Sequence, residues 1–443
     1  MAGFEARRAA LLASIAGADP RAPWRLAKRT SNLFRYREHG PRVPLDLAAF
    51  TNVLDVGDGW VETEGLVTYE RLADATLARG AMPCVVPQLK SITIGGAVAG
   101  IGIEASSFRY GLVHETVLEL EVLTGDGRVV VATADNEHRD LFHGFPNSYG
   151  TLGYALRVKA RTVPVKRFVH LAHLHYDDPT RFFAQLSAVC ASPVDFVEGV
   201  VFGPGELVIT TGHFVDEAPY TSDYTFERVY FRSLRVRDED YLTARDYLWR
   251  WDTDWFWCSK NIGAQNPLVR RLLGRERLNS VFYAQIMRWN ARVGVTRALD
   301  RVAGRHPESV IQDVDIPIER AEEFLRFLLV EIGILPIWVC PFRAFDRTAH
   351  WMLYPTDAAQ LYINFGFWDV VRAGAKHAPG HFNRLVERKV ADLGGTKSLY
   401  SDSYYTRAEF DATFGGAAYA ALKARYDPHG RLKGLYEKCV QRH

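Results

Sequence analysis

The chain has 443 residues, 48% of them hydrophobic and 24% charged, with a formal net charge of +2. That length accommodates two or three domains of roughly 150 residues, and the composition excludes disordered, low-complexity and fibrous classes. A near-neutral balance gives no general reason to bind nucleic acid. Arginine supplies 43 of the 54 cationic side chains, the usage expected of a GC-rich bacterial genome. Cys84, Cys190, Cys258, Cys340 and Cys439 are scattered, with no C-x-x-C pair, so they fit a reducing cytoplasm and predict no metal site.

At the N-terminus, Arg7-Arg8, an alanine-rich run and Ala16-Gly17-Ala18 loosely copy a signal peptide. The apolar run is short, and an ordinary amphipathic helix is expected. Residues 52–56 and 60–67 read as strands about the turn Gly57-Asp58-Gly59. Thr68 can cap a helix over 69–79, which Gly80 ends. Thr124-Gly125-Asp126-Gly127 between apolar runs 117–123 and 128–133 predicts a hairpin. Beyond Pro164 the texture changes: strands over 168–176, 196–202 and 207–214, with a helix over 179–190, open a second α+β unit. Residues 245–305 hold eleven Arg and Lys260 against five acidic residues, and five of the ten tryptophans. The most apolar stretch, 324–342, carries Arg326, Glu331 and Pro336, so no transmembrane segment is expected.

The run from Pro87 to Gly111 carries the chemistry. Gly95, Gly96, Gly100 and Gly102 let backbone amides approach an anion such as a pyrophosphate. No Gly-Lys-Ser/Thr follows, and Gly100-Ile101-Gly102 lacks the third glycine of a dinucleotide fingerprint. Spacing alone leaves a structural glycine-rich bend equally open. His173 and His175 share a strand face without a nearby third ligand, which favours a structural role. Ser106-Ser107 lacks the glycine frame of a nucleophile elbow. Tyr400, Asp402 and Tyr404 alternate as on one strand face.

The stretch from Thr93 to Tyr110, then Gly111-Leu-Val-His114-Glu115 and a strand–hairpin–strand unit ending in Asp140-Leu141-Phe142, resembles the FAD-binding domain of the vanillyl-alcohol oxidase superfamily, of the PCMH type. Within it, Phe196-Val-Glu-Gly199, Leu335-Pro-Ile-Trp338-Val-Cys340-Pro341-Phe342, Leu361-Tyr362-Ile363 and Leu399-Tyr400-Ser-Asp402-Ser-Tyr404 resemble the 24-dehydrocholesterol reductase family and its bacterial methylene-fatty-acyl reductase relatives. The resemblance implies an α+β, two-domain flavoprotein. Residues 1–163 would form the FAD-binding domain and 164–395 a substrate or cap domain with an antiparallel sheet, including the basic aromatic segment 245–305. Residues 396–443 would complete the active site. The eukaryotic members carry an N-terminal membrane anchor, which is not expected here; membrane contact would fall to Trp and to Arg270, Arg271, Arg275 and Arg277, or else that segment is a basic helix pair with its tryptophans in the core.

Carried over by motif, the cofactor-contacting residues are Thr93, Ile94, Gly95, Gly96, Ala99, Gly100, Gly102, Ile103, Glu104, Ala105, Ser106, Tyr110, Gly111, Gly150 and Gly153. Thr30, Ser31 and Asn32 stand where the superfamily has its phosphate loop, without the His that tethers flavin in some relatives, so FAD is expected to be non-covalent. The implied activity is reduction of an isolated carbon-carbon double bond in a lipid, with NADPH or NADH as electron donor. A methylene-branched fatty acyl chain of a phospholipid is the first expectation, as in tuberculostearic acid formation; a sterol side chain is the alternative, and an FAD-dependent alcohol oxidase or dehydrogenase a further one. Acid catalysis would fall to Glu104, Tyr400, Asp402 or Tyr404. The protein is expected in the cytoplasm, peripherally on the inner face of the membrane.

Overall fold

The computed structural model describes residues 2–17, 19, 21–27, 42–293 and 303–440. The fold is mixed α+β, built on two large antiparallel sheets. Helix α1 (Ala2–Ala16) buries Phe4 and Leu11 against Leu45, Leu47 and Phe50, as an amphipathic helix should. Its Arg7 Nε reaches Glu64 Oε1 at 2.9 Å. Short strands β1 (Trp24–Leu26) and β2 (Val43–Leu45) pair in parallel.

The first large sheet contains β3 (Val53–Gly57), β4 (Trp60–Glu64), β5 (Ala81–Pro83), β6 (Val117–Thr124), β7 (Val129–Ala132) and β8 (Gly153–Pro164). Strand β4 stops three residues short of the expected Val67, because the chain turns at Gly65-Leu66, the Val67 amide donating to Glu64 O at 3.1 Å. Thr68 caps α2 (Tyr69–Leu77), accepting from the Arg71 amide, and α3 (Ile94–Ala99) carries the middle of the glycine-rich run. The β6–β7 hairpin forms about the expected turn, with Gly127 at φ +89°.

The second sheet has eight strands in the order β12-β9-β11-β10-β14-β15-β13-β16. These are β9 (Phe168–Tyr176), β10 (Phe196–Gly203), β11 (Glu206–Val215), β12 (Glu239–Thr243), β13 (His306–Pro317), β14 (Ile337–Phe342), β15 (Tyr362–Ala373) and β16 (Thr396–Lys397). Period-two alternation gives the sheet two faces. Val197, Val201, Val310 and Val314 meet α4 (Pro179–Cys190), α7 (Ile318–Phe327) and α8 (His381–Asp392), while Phe196, Val200 and Trp338 join the larger core shared with the first sheet. Between β12 and β13, α5 (Pro267–Leu273) and α6 (Ser280–Val293) lie at the surface, but Trp249, Trp251, Trp255 and Trp257 are core residues.

Tyr400, Asp402 and Tyr404 do not lie on a strand, contrary to the alternation. Side chains take up backbone groups of the last two: the Asp402 carbonyl accepts from Lys397 Nζ at 2.5 Å, and the Tyr404 amide donates to Glu387 Oε1 at 2.8 Å. Near the C-terminus, helix α9 (Gly416–Tyr426) returns to the first unit, where Leu422 fills the space over Gly144 and Tyr426 Oη donates to Asp140 Oδ1 at 2.7 Å.

Candidate active site

Between the six-stranded sheet and the aromatic face of the eight-stranded one lies a cleft of about 1150 Å³, just above the ~300–1,000 Å³ usual for small-molecule sites. One wall is largely backbone, from Gly65, Gly95, Gly96, Gly100, Gly102, Gly150 and Gly153. These glycines differ in cause. A Cβ on Gly95 would lie 2.7 Å from the Gly65 carbonyl oxygen, and one on Gly102 would lie 2.7 Å from Val113 Cγ2, so both answer to packing. A Cβ on Gly96 would meet only Thr93 Oγ1, at 3.0 Å. Bare backbone therefore faces the cleft there, open to a bulky anionic group.

Four non-glycine residues in the left-handed region also line the cleft: Ile101 (φ 59°), Tyr149 (φ 51°), Trp255 (φ 43°) and Phe256 (φ 58°). Each costs on the order of 1 kcal/mol or more, and such positions cluster where function over-determines the backbone. Tyr149 is held by its amide to Ala99 O at 2.9 Å and its hydroxyl to Gly100 O at 3.1 Å.

The opposite wall is aromatic. Phe256 packs 4.5 Å from Trp368 and 5.5 Å from Trp338, centroid to centroid. Among these rings, Asp313 on β13 projects beside Ile311, with Tyr400 adjacent. Burial pushes the Asp313 carboxyl up to about 7; hydrogen bonds with Tyr400 and Trp368 oppose that, and Asp315 adds repulsion. Trp368 Nε1 donates to Tyr400 Oη at 2.8 Å.

Of the residues singled out in the sequence, Thr93, Gly95, Gly96, Ala99, Gly100, Gly102, Ile103, Gly150, Gly153 and Tyr400 line the cleft. Ile94, Ala105 and Ser106 are buried behind it, the Ser106 hydroxyl donating to Cys84 O at 2.7 Å. Tyr110 packs against Phe345, and Gly111 makes a turn at φ +68° against the Glu115 carboxyl. Asp402 and Tyr404 lie outside the cleft walls. Thr30, Ser31 and Asn32 lie outside the described residues. His173 is a core residue bonded to Thr210 Oγ1 at 2.9 Å.

Glu104 sits in a buried network joining the two units. Its Oε1 accepts from Arg250 Nη2 at 2.9 Å; Arg250 Nε also meets Glu198 Oε1 at 3.0 Å, and Glu198 Oε2 accepts from the Trp251 and Trp338 indoles at 3.0 and 2.9 Å. One guanidinium faces two carboxylates. Burial, opposed by Arg250 and reinforced by Glu198, pushes Glu104 up to about 7.

Sequence reasoning missed Asp313, Trp368 and Phe256, and held Trp338 only as part of a family motif and Trp255 only as part of the basic aromatic segment. The legible signal for Asp313 was two aspartates alternating within the apolar strand 310–316, a placement that strands disfavour.

Residues 14–133 match the family model described as FAD binding domain. The chain is 29% identical over 430 residues to the Delta(24)-sterol reductase of Homo sapiens, covering 92% of this chain and 79% of that protein. It is 26% identical over 437 residues to that of Arabidopsis thaliana, covering 89% and 76%. Cytokinin dehydrogenase 7 of Oryza sativa subsp. japonica is 29% identical over 147 residues, 32% of this chain and 28% of that protein. The mixed α+β architecture agrees with a vanillyl-alcohol-oxidase-type flavoprotein, and the open backbone at Gly96 suits the pyrophosphate of FAD. The protein is an FAD-dependent oxidoreductase, distantly related to Delta(24)-sterol reductases over most of its length.

Proposed function

We propose that this oxidoreductase reduces an isolated carbon-carbon double bond in a lipid, with NADPH or NADH as electron source. The observation that carries the reading is the make-up of one continuous cleft. Glycine-rich backbone forms one end, and Trp255, Phe256, Trp338 and Trp368 wall the other around a protonatable carboxyl. An unactivated alkene accepts hydride poorly unless a proton arrives first or together, leaving positive charge on the more substituted carbon. Aromatic faces tolerate such a charge, and the carboxyl supplies an acid. Bound FAD, once reduced, supplies the hydride. Thr93, Gly96, Gly100, Gly150 and Gly153 would hold it, without a covalent tether.

Kinship with Delta(24)-sterol reductases puts a sterol side-chain alkene first among substrates. The arginine-rich composition supports a second substrate, a methylene-branched phospholipid acyl chain. Both yield a tertiary centre on protonation. The test is anaerobic mixing of NADPH-reduced enzyme with desmosterol and, separately, with a methylene-branched phospholipid. Recovery of oxidised-flavin absorbance with a product two mass units heavier supports the reading. Reoxidation only by oxygen, with peroxide released and an alcohol consumed in turnover, would identify an alcohol oxidase instead.

We further propose that the enzyme works peripherally at the cytoplasmic face of a membrane. No helix of the described residues is long and apolar enough to cross one. Leu268 and Leu272 on α5, and Trp289 and Val293 on α6, are 74%, 83%, 58% and 57% exposed. Met287, also on α6, lines the cleft. One helix thus joins the cleft to an apolar edge, and with Arg271 and Arg275 beside it paired to Glu227 and Asp223, the apolar side chains would carry the lipid contact.

A further inference from the structure

We propose that Asp313 is the proton donor to the substrate alkene and that Tyr400, anchored by Trp368, positions it. The inference rests on the alkene-reductase reading above. Alternation along β13 sends Val310 and Val314 to the helix-covered core, and Ile311 and Asp313 to the cleft. Across the strand pair, Asp313 is in register with Gly366, and Gly366 with Trp338 on the next strand. A Cβ on Gly366 would lie 2.7 Å from Asp313 Oδ1 and 2.5 Å from Trp368 Cζ2. That glycine leaves the room in which the carboxyl and the indole meet.

The two carboxyl oxygens are unequal. Oδ1 is shielded from solvent and has no hydrogen-bond partner among the described residues, an arrangement that is costly for a carboxylate and favours the protonated carboxyl. Tyr400 bonds to the carboxyl, and Trp368 Nε1 donates to Tyr400 Oη at 2.8 Å, so the chain Trp368–Tyr400–Asp313 fixes the group's orientation. The titratable neighbours are Asp315 on the same strand, Tyr400 beside it with Tyr149 next to that ring, and Asp369 at the cleft wall, itself bonded to Lys260 Nζ at 2.7 Å. Burial holds Asp313 up to about 7, where an acid donates efficiently near neutrality.

The step balances. The Asp313 O–H breaks, its proton forms a C–H bond with the alkene electron pair at the less substituted carbon, and a carboxylate remains; the other carbon takes the hydride of the two-electron donor. Proton donors of this kind contribute about 10²–10⁴-fold.

The experiment uses the FAD-loaded full chain. Asp313→Asn should bind FAD and be reduced by NADPH as wild type does, yet transfer to desmosterol or methylene-branched phospholipid about a hundredfold or more slowly; Asp313→Glu should recover part of the loss. Wild-type activity should be present below and lost above a limb near pH 7. Tyr400→Phe removes a hydrogen bond that favours the carboxylate, so that limb should move to higher pH, a displacement a merely structural tyrosine would not cause. Without substrate, the infrared carboxylic-acid band that distinguishes wild type from Asp313→Asn should bleach with a midpoint near 7. Lipid transfer by Asp313→Asn at the wild-type rate overturns the inference, as does an infrared difference showing Asp313 ionised at pH 5. A wild type that transfers to neither alkene overturns the inference together with the reading beneath it.

Discussion

Gly96 and Gly102 stand six residues apart in one run, and the structure gives them different reasons to lack a side chain. A Cβ on Gly96 enters the cleft, so Gly96→Val should fold at wild-type yield but lose the yellow colour of bound flavin. A Cβ on Gly102 collides with Val113, so Gly102→Val should lower unfolding stability by about 1–3 kcal/mol; denaturation and flavin content measured on both variants separate the two. Glu104 shows how a motif residue can be structural. Its folded-state pKa is raised to about 7 by burial, so the unfolded state loses that proton first, near 4.5. Stability contributed by the neutral form is full below about pH 4.5 and is lost as pH rises to about 7. Glu104→Gln should therefore flatten the stability–pH curve by about one proton over that interval, with flavin turnover near wild type; a collapse of turnover would return Glu104 to the chemistry. Cys258 lines the cleft, but burial pushes its thiol up to about 12. It is a poor nucleophile at neutral pH, and acid precipitation should leave all flavin in the supernatant.

At the scale of elements, local patterns translated well where the chain neighbours decide the conformation. The helix over 179–190 begins at a proline capped by Asp178, whose Oδ1 accepts from the Arg181 amide at 2.8 Å, and the β6–β7 hairpin follows its Gly-Asp-Gly turn. Residues 400–404 carried an equally clean alternation but form no strand, since long side chains from β13, β16 and α8 take up their backbone groups. The basic aromatic segment divides in the same way. Arg270 is buried and bonded to Asp254, Arg271 pairs with Glu227 and Arg275 with Asp223, so little free charge remains on α5. Partly paired surface charges attract lipid weakly, whereas each large apolar side chain fully removed from water is worth roughly 1.5–3 kcal/mol. Changing Leu268, Leu272 and Trp289 to Ser should weaken sedimentation with anionic vesicles at least tenfold, while Arg271→Gln with Arg275→Gln has the smaller effect. Detergent-dispersed substrate should be turned over by all variants alike. Vesicle binding unchanged by the apolar substitutions would place the lipid contact elsewhere.

For the molecule as a whole, the cleft has walls from both sheets and from the C-terminal return, and the Glu104–Arg250–Glu198 network bonds the units beneath it. The chain should unfold in one calorimetric transition that FAD raises. At a hundredfold excess over its dissociation constant, the ligand adds about 2.7 kcal/mol, a shift of a few degrees; two transitions, only one moving with FAD, would mean that the units fold independently. Sequence by itself determined the mixed α+β character, the strands and helices flanking clear turn and cap residues up to about residue 214, and the glycine-rich run, because turn residues, caps and hydrophobic period act between neighbours along the chain. Tertiary structure alone decided that Gly96 faces a cleft while Gly102 packs a core, that Glu104 serves an ion network, and that Asp313 meets Tyr400 and Trp368. Those roles depend on which atoms from distant segments share a low-dielectric space, and burial there sets both the room for a Cβ and the proton affinity of a carboxyl.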